Sequence, residues 1–164
     1  MKSIKSVNLM IAPVLIVLAI VTVTSGQSGK NSTPPEVEKA VLARLGEIQN
    51  AAQALDPEKV FSFVLENDQG ALVQNGRLFL TRQEALESTK AGFQRLQKVV
   101  YQFDEQHVSL LSPTAALVTG VGSSTVTTGD GRTITTRFAQ SVVLMLTNGQ
   151  WKVFHAHRSF PVAQ

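Results

Sequence analysis

The chain has no cysteine among its 164 residues. Disulfide bonds, thiol catalysis, thiolate metal sites and a cysteine-linked lipid anchor are therefore all excluded. Charged residues are also scarce, at 16% of the sequence, whereas hydrophobic residues make up 43%. This balance predicts a folded domain rather than a disordered chain.

A basic cluster is missing as well. The formal net charge is +3, but two of the 15 basic residues, Lys2 and Lys5, lie in the N-terminal leader, and 12 acidic residues offset most of the others. We therefore expect no nucleic-acid partner. The sequence also lacks a G-x-S-x-G motif, a P-loop and a dinucleotide-binding fingerprint, and it predicts no cofactor.

The longest apolar run lies near the N-terminus. Lys2 and Lys5 precede an apolar stretch over residues 7–23, and small and polar residues follow it. This order is typical of an export signal, which we assign to residues 1–26. The run is also long enough to be an uncleaved membrane anchor, so both readings stay open.

The domain organisation follows from that segment. Residues 27–33 are polar and small, as in a flexible linker, and residues 34–164 are expected to form one domain. Whether the leader is a cleaved export signal or an uncleaved anchor, we expect the domain to work outside the cytoplasm. We expect a periplasmic or secreted protein, or an anchored one that touches the membrane only through its N-terminal segment.

Apolar spacing and capping residues predict three helices. The first covers residues 33–55 and begins with a Thr-x-x-Glu capping box; a short second helix follows the cap Asp56. A hairpin with an Asn-Gly turn is expected over residues 71–80. A second capping box then begins the third helix, over residues 81–100.

From Tyr101 onward the hydrophobic period changes to two, which predicts four strands. Gly120 and Gly122 are expected to let the long strands bend. The strands cover residues 101–111, 115–127, 133–147 and 150–160. Helices followed by strands predict an α+β fold, a cone-like curved antiparallel sheet packed on three helices and enclosing a cavity.

The last strand concentrates the chemically useful side chains. It holds the only Trp, two of the three His and Arg158. Strict alternation puts Phe154 and Arg158 on one face. The other face then carries Trp151, Val153, His155, His157 and Ser159. The face that lines the cavity decides between anion binding by Arg158 and proton transfer by the histidines.

This order of elements resembles the nuclear transport factor 2-like superfamily, and the ending Trp151-Lys152-Val153-x-His155-x-His157-x-Ser159 is closest to its SnoaL-like branch. The ending is also similar to that of the calcium/calmodulin-dependent kinase II association domain, as are the strands around His107 and Ala115. The resemblance covers residues 34–161. It implies the cone-like fold but no single function, because the superfamily includes isomerases, cyclases, dehydratases and dimerisation modules.

Three polar residues are candidates for acid–base chemistry. The resemblance implies that a carboxylate near Asp68 can face the cavity mouth as a general base; otherwise Asp68 caps a turn. His155 and His157 are candidate general acids or bases, and their H-x-H spacing also suits metal chelation, with His107 as a candidate third ligand. We expect no metal, since no further ligand is evident, and hydrogen bonds within the sheet or at a dimer interface explain the same residues.

Arg158 is the candidate anion-binding residue. The resemblance to the kinase association domain implies that Arg158 lines a cavity and holds a carboxylate in a bidentate fork. The competing interpretation is a salt bridge with a helix carboxylate such as Glu84 or Glu87.

Aromatic residues complete the candidate pocket. Tyr101 is either a hydrogen-bond donor in the cavity or an aromatic residue at the sheet edge. Phe93 and Phe138 are expected to contact a ligand, although they can equally belong to the core, as can Phe61 and Phe103.

Together these features favour an exported, non-catalytic module that binds a small molecule or dimerises, with a homodimer formed through the open face of the sheet. The alternative is an acid–base enzyme, an isomerase, cyclase or dehydratase, acting on an apolar small molecule. A third class is a periplasmic assembly subunit tethered by an uncleaved leader.

Overall fold

The computed structural model describes residues 33–161, which form three helices and one six-stranded sheet. The predicted leader and nearly all of the linker, residues 1–32, lie outside the described residues. The helices are α1 (Pro35–Gln53), α2 (Pro57–Ser62) and α3 (Arg82–Phe93). The strands are β1 (Leu72–Gln74), β2 (Arg77–Phe79), β3 (Leu96–Ser112), β4 (Ala115–Thr128), β5 (Thr133–Thr147) and β6 (Gln150–Ser159).

The sheet is open and curved, with the strand order β2-β1-β6-β5-β4-β3. All neighbouring strands are antiparallel except β1 and β6, which run parallel. The predicted four-stranded meander, β3 to β6, is therefore extended by the hairpin β1–β2, which lies beside β6. The expected α+β architecture, a curved sheet packed on three helices, is confirmed.

One long hydrophobic core joins α1 to the concave face of the meander. Strand alternation supplies the sheet side of this core, because inward residues of β4, β5 and β6 are apolar. Its buried members are Val41, Ala116, Val118, Val142, Leu144, Trp151 and Val153. No helix within residues 33–161 is long and apolar enough to span a bilayer.

The start of α1 differs from the predicted capping box. Pro34 is the N-cap, and no side chain caps this helix. The hydroxyl of Thr33 instead donates to the carbonyl of Val108 at 2.8 Å and accepts from the backbone N–H of Leu110 at 3.0 Å. The prediction was wrong because the unpaired backbone groups of β3 compete for the same hydroxyl.

Two glutamines of α1 satisfy another part of that edge. The Gln49 amide donates to the carbonyl of Tyr101, and the backbone N–H of Tyr101 donates to Gln53, both at 3.0 Å. An exposed strand edge is a template for unwanted pairing. The side chains of α1 thus cover the edge of β3 and hold the helix against the sheet.

The caps of the other two helices are the ones that the sequence predicts. Asp56 accepts from the N–H of Lys59 at 2.9 Å, and Thr81 and Glu84 form the predicted capping box. The third helix nevertheless ends at Phe93, and β3 begins at Leu96 rather than at residue 101. The apolar residues at 96, 99 and 100 fit both the helical period and the strand period of two. Pairing with β4 makes this segment a strand.

Helices α2 and α3 are linked by Lys90, which binds Glu58 of α2 at 2.7 Å and Glu87 of its own helix at 3.0 Å. The hydrogen bond to Glu58, followed by the one to Glu87, raises the pKa of Lys90. The ion pair with Glu58 therefore bridges the two helices at the surface.

The curvature of the sheet depends on two glycines in β4. Beside them, the β3–β4 register shifts between Phe103 and Glu105, so Asp104 is an additional residue in β3. A Cβ at Gly120 would lie 2.8 Å from the carbonyl oxygen of Glu105, and one at Gly122 would overlap the carbonyl oxygen of Gln102. Both glycines allow β3 to cross β4 closely at the bend.

We predict that Gly122→Ala lowers the free energy of unfolding by about 2 kcal/mol or more, because its methyl group has no space beside β3. Urea denaturation followed by the fluorescence of Trp151, which is buried, measures the change. Gly46→Ala in α1 is the matched control. A Cβ there meets no atom within 4 Å, so it should raise stability by about 0.5–1 kcal/mol. Equal effects of the two substitutions would contradict the close approach.

Candidate functional site

A cavity of about 530 Å³ lies between the concave face of the sheet and the three helices. Its walls are mostly apolar, and aromatic rings form a large part of them. Those rings belong to Phe61, Phe79, Phe93, Tyr101 and Phe103. A volume of this size, with a few convergent polar groups, is typical of a site for a small organic molecule.

A β-bulge in β6 decides which side chains reach this cavity. Val143 pairs with His155, whereas the next residue, Leu144, pairs with Val153, so Phe154 has no partner. The additional residue reverses the alternation. Trp151 and Val153 before the bulge, and Ala156 and Arg158 after it, therefore share the concave face. The prediction of strict alternation along the whole strand was wrong for this reason.

Arg158 faces the cavity and is held there by aromatic rings. Its guanidinium carbon lies 4.9 Å from the ring centroid of Tyr101 and 4.6 Å from that of Phe138, and Nη2 donates to Gln140 Oε1 at 2.9 Å. Stacking of this kind lowers the entropy lost when the guanidinium binds a partner. Arg158 is thus pre-oriented.

The predicted salt bridge of Arg158 with α3 does not form. Glu84 accepts from the backbone N–H groups of Leu80 and Thr81 in the capping box, and Glu87 binds Lys90. Within residues 33–161 no carboxylate pairs with Arg158.

The cavity is cationic. Among the described residues that line it there are three arginines, Arg77, Arg95 and Arg158, and neither Asp nor Glu. Arg77 also stacks on an aromatic ring, 4.9 Å from the centroid of Phe79. A cavity with this charge and an apolar wall can bind an anionic group that is attached to an apolar body.

Asp68 does not line the cavity. It is exposed in the loop before β1, where Asn67 makes the turn by accepting from the N–H of Gln69 at 2.9 Å. The geometry therefore gives no support to the predicted general base. A carboxylate in solvent lacks the apolar surroundings that would adapt it to proton abstraction.

The histidines of β6 lie on the open face of the sheet, the convex side away from the helices. The imidazole Nδ1–H of His155 donates to the carbonyl of Gly70 at 2.7 Å, and His157 is exposed between Ser141 and Val73. The cavity also borders His157. Strand alternation directs its side chain to the other face, so we assign that contact to its backbone.

His107 does not join the other histidines. It pairs with Thr119, which pairs with Ser141, which pairs with His157, so three strand spacings, about 14 Å, separate the two backbones. His107 contacts Glu105 at 2.7 Å instead. Within residues 33–161 no three His, Cys, Asp or Glu side chains group together as metal ligands.

Two of the candidate aromatic residues line the cavity, and the third lies beneath Arg158. Tyr101 and Phe93 line the cavity. Phe138 is buried beneath Arg158, with edge-to-face contacts to Tyr101 at 6.2 Å and to Phe103 at 5.4 Å. Phe138 therefore supports the guanidinium, and the structure does not place it in the cavity wall.

Sequence reasoning missed Gln140, Gln74 and Arg77. A signal existed for Gln140, because it is a polar residue on the inward face of β5, between Phe138 and Val142. No such signal marked the other two. They reach the cavity only because the hairpin β1–β2 pairs beside β6.

A curved sheet over a cavity, closed by three helices, defines the class of nuclear transport factor 2-like folds. The sequence profile of the SnoaL-like domain matches residues 41–163. The chain therefore belongs to the SnoaL-like domain family, within that superfamily. No curated protein sequence matches the chain significantly.

Solved structures show the same fold at low sequence identity. A proposed dehydratase of the NTF2-like family from Streptomyces avermitilis has a TM-score of 0.71 and 19% identity, covering 80% of this chain and 100% of the other. An NTF2-like superfamily protein from Salmonella enterica has a TM-score of 0.71 and 16% identity, covering 78% and 93%. A proposed calcium/calmodulin-dependent kinase II association domain from Xanthomonas campestris has 0.66 and 20%, covering 74% and 85%.

Proposed function

We propose that this protein is a non-catalytic binding protein for a small carboxylic acid with an apolar body. The observation that carries the proposal is the position of Arg158, which faces a largely apolar cavity with no carboxylate among its described lining residues. A half-buried cation that has no carboxylate beside it favours an anionic ligand.

The fixed geometry of Arg158 supports a carboxylate in particular. Gln140 occupies one end of the guanidinium, and the rings of Tyr101 and Phe138 stack against it. The remaining N–H groups lie in one plane, which matches the two oxygens of a carboxylate. The aromatic and aliphatic wall then contacts the rest of the ligand.

The alternative is an enzyme that performs acid–base chemistry on an apolar small molecule. The name of the Streptomyces avermitilis neighbour, a proposed dehydratase, favours it. Such a reaction needs a proton acceptor next to the substrate. None of the three side chains considered for this role, Asp68, His155 and His157, points into the cavity. The geometry supports binding better than catalysis.

The second part of the proposal is a homodimer formed through the open face of the sheet. The helices cover only the concave side of the sheet. On the open face, Leu117 and Val143 lie in the centre and Val121 is exposed beside them. A broad surface that mixes apolar and polar side chains fits a protein interface. A second copy of this chain would cover it.

The third part concerns location. The apolar run at residues 7–23 supports export of the domain, as a periplasmic or secreted protein or as one held by an uncleaved leader.

We predict that Arg158→Gln weakens binding of a fatty acid such as dodecanoate by about tenfold to a hundredfold, because a charge-assisted fork is lost. Isothermal titration calorimetry measures the affinity. The matched control is Arg132→Gln in the β4–β5 turn, where Arg132 pairs with Asp130 away from the cavity. The control should bind like wild type. Equal binding by the Arg158 variant, or no binding by wild type, would refute the proposed function.

For the dimer, we predict that Val121→Lys raises the dimer dissociation constant by about tenfold or more, because a charge would be buried between two sheets. Size-exclusion chromatography with light scattering measures the mass across a dilution series. Ile134→Lys is the control, since Ile134 is also exposed but lies near the β4–β5 turn on the opposite face. A wild-type protein that is strictly monomeric at micromolar concentration would contradict the dimer.

For the leader, we predict that the protein recovered from outside the cytoplasm begins at Gln27, because the small residues Ser25 and Gly26 before it suit signal cleavage. Intact-mass spectrometry of the mature protein reads the new N-terminus directly. An intact leader in the membrane fraction would instead identify an anchor.

A further inference from the structure

We propose that the ligand is an amphiphile whose head carries two acidic groups, one held by Arg158 and the other by Arg77. This inference rests on the proposed function, that the cavity binds an anion at Arg158, and adds a second cationic contact and a ligand class. The contact follows from the register of four neighbouring strands.

A polar row crosses the concave face of the sheet. Gln140 of β5 pairs with Arg158 of β6, which pairs with Gln74 of β1, which pairs with Arg77 of β2. Directly paired residues on neighbouring strands point to the same face. All four residues line the cavity, so the row forms one continuous polar strip along its wall.

The two arginines flank Gln74 in the polar row. Two strand spacings separate their backbones, which is about 10 Å, and Gln74 lies between them. Both guanidinium groups are oriented by aromatic stacking, Arg158 on Tyr101 and Arg77 on Phe79. A head that lies over Gln74 can reach a cation at each side and the Gln74 amide in the middle.

An apolar row lies directly beside the polar one. Val142 of β5 pairs with Ala156 of β6, which pairs with Leu72 of β1, which pairs with Phe79 of β2. All four line the same cavity. A ligand with its head on the polar row therefore extends its apolar body over the neighbouring row and towards the helices, which makes it an amphiphile.

The two cations of the polar row favour two acidic groups rather than one. Arg158 and Arg77 stand on either side of Gln74 in this row, and the described lining residues include no Asp or Glu to balance them. A monoacid compensates one of the two cations, whereas a diacid compensates both. Because the cations lie two strands apart, two separate carboxylates fit this spacing better than one compact anion.

A matched pair of probes distinguishes a site with one cationic contact, Arg158, from a site with two, Arg158 and Arg77. Octylsuccinate and dodecanoate have the same number of carbons, but the first carries two carboxylates and the second only one. At a pH where all the carboxyls are ionised, wild type should bind octylsuccinate about tenfold more tightly in calorimetric titrations, which is the gain expected from one more charge-assisted contact.

The variants then assign the second contact. Arg77→Gln should bring the affinity for octylsuccinate down to that for dodecanoate and change the affinity for dodecanoate less than about twofold. Arg158→Gln should weaken both acids. Arg77 is exposed, so its replacement should leave folding intact, and the fluorescence of the buried Trp151 checks this. Arg132→Gln is again the binding control and should bind both acids like wild type.

Two results would overturn the inference. If wild type binds both acids equally, or if Arg77→Gln keeps the preference for the diacid, the second contact is absent. In either case, binding that still requires Arg158 leaves the proposed function standing. If neither acid binds wild type, the proposed function fails and this inference fails with it.

Discussion

The bulge at Phe154 is the constraint on which the candidate site depends. Without this additional residue, alternation from the buried Trp151 would direct His155 and His157 into the cavity and Arg158 to the open face. With it, the strand keeps Trp151 and Val153 in the core and still presents Ala156 and Arg158 to the cavity. A change of one residue in register thus replaces a pair of proton carriers with a fixed cation.

The cavity exists because the sheet is bent and its edge is covered. Gly120 and Gly122 allow β3 to cross β4 closely, and the additional residue Asp104 increases the twist at the same point. Side chains at both ends of α1, Thr33 at its start and Gln49 and Gln53 near its end, bond to the edge of β3 and fix the helix across the concave face. The position of α1 therefore fills the core, covers the edge of β3 and closes the cavity at the same time.

The same fold supports different functions in its superfamily, so the chemistry has to be argued from the side chains. In this chain the polar side chains of the cavity are amides, hydroxyls and arginines, and the described lining residues offer no carboxylate. A guanidinium does not exchange its proton at physiological pH, but it orients and neutralises an anion. This composition is the physical reason for preferring a binding protein to an acid–base enzyme.

Local patterns in the sequence were enough for the type and order of the elements, for two of the three expected caps and for the bend at Gly120 and Gly122, because these features depend on neighbours along the chain. The end of the third helix was wrong, since apolar residues at 96, 99 and 100 suit either period until β4 pairs with them. The cap at Thr33 was wrong because a strand edge far along the chain took its hydroxyl. The candidate site depended most on tertiary structure. The bulge at Phe154 and the row that joins Arg158, Gln74 and Arg77 arise from pairing between distant strands, and register of that kind leaves no local trace in the sequence.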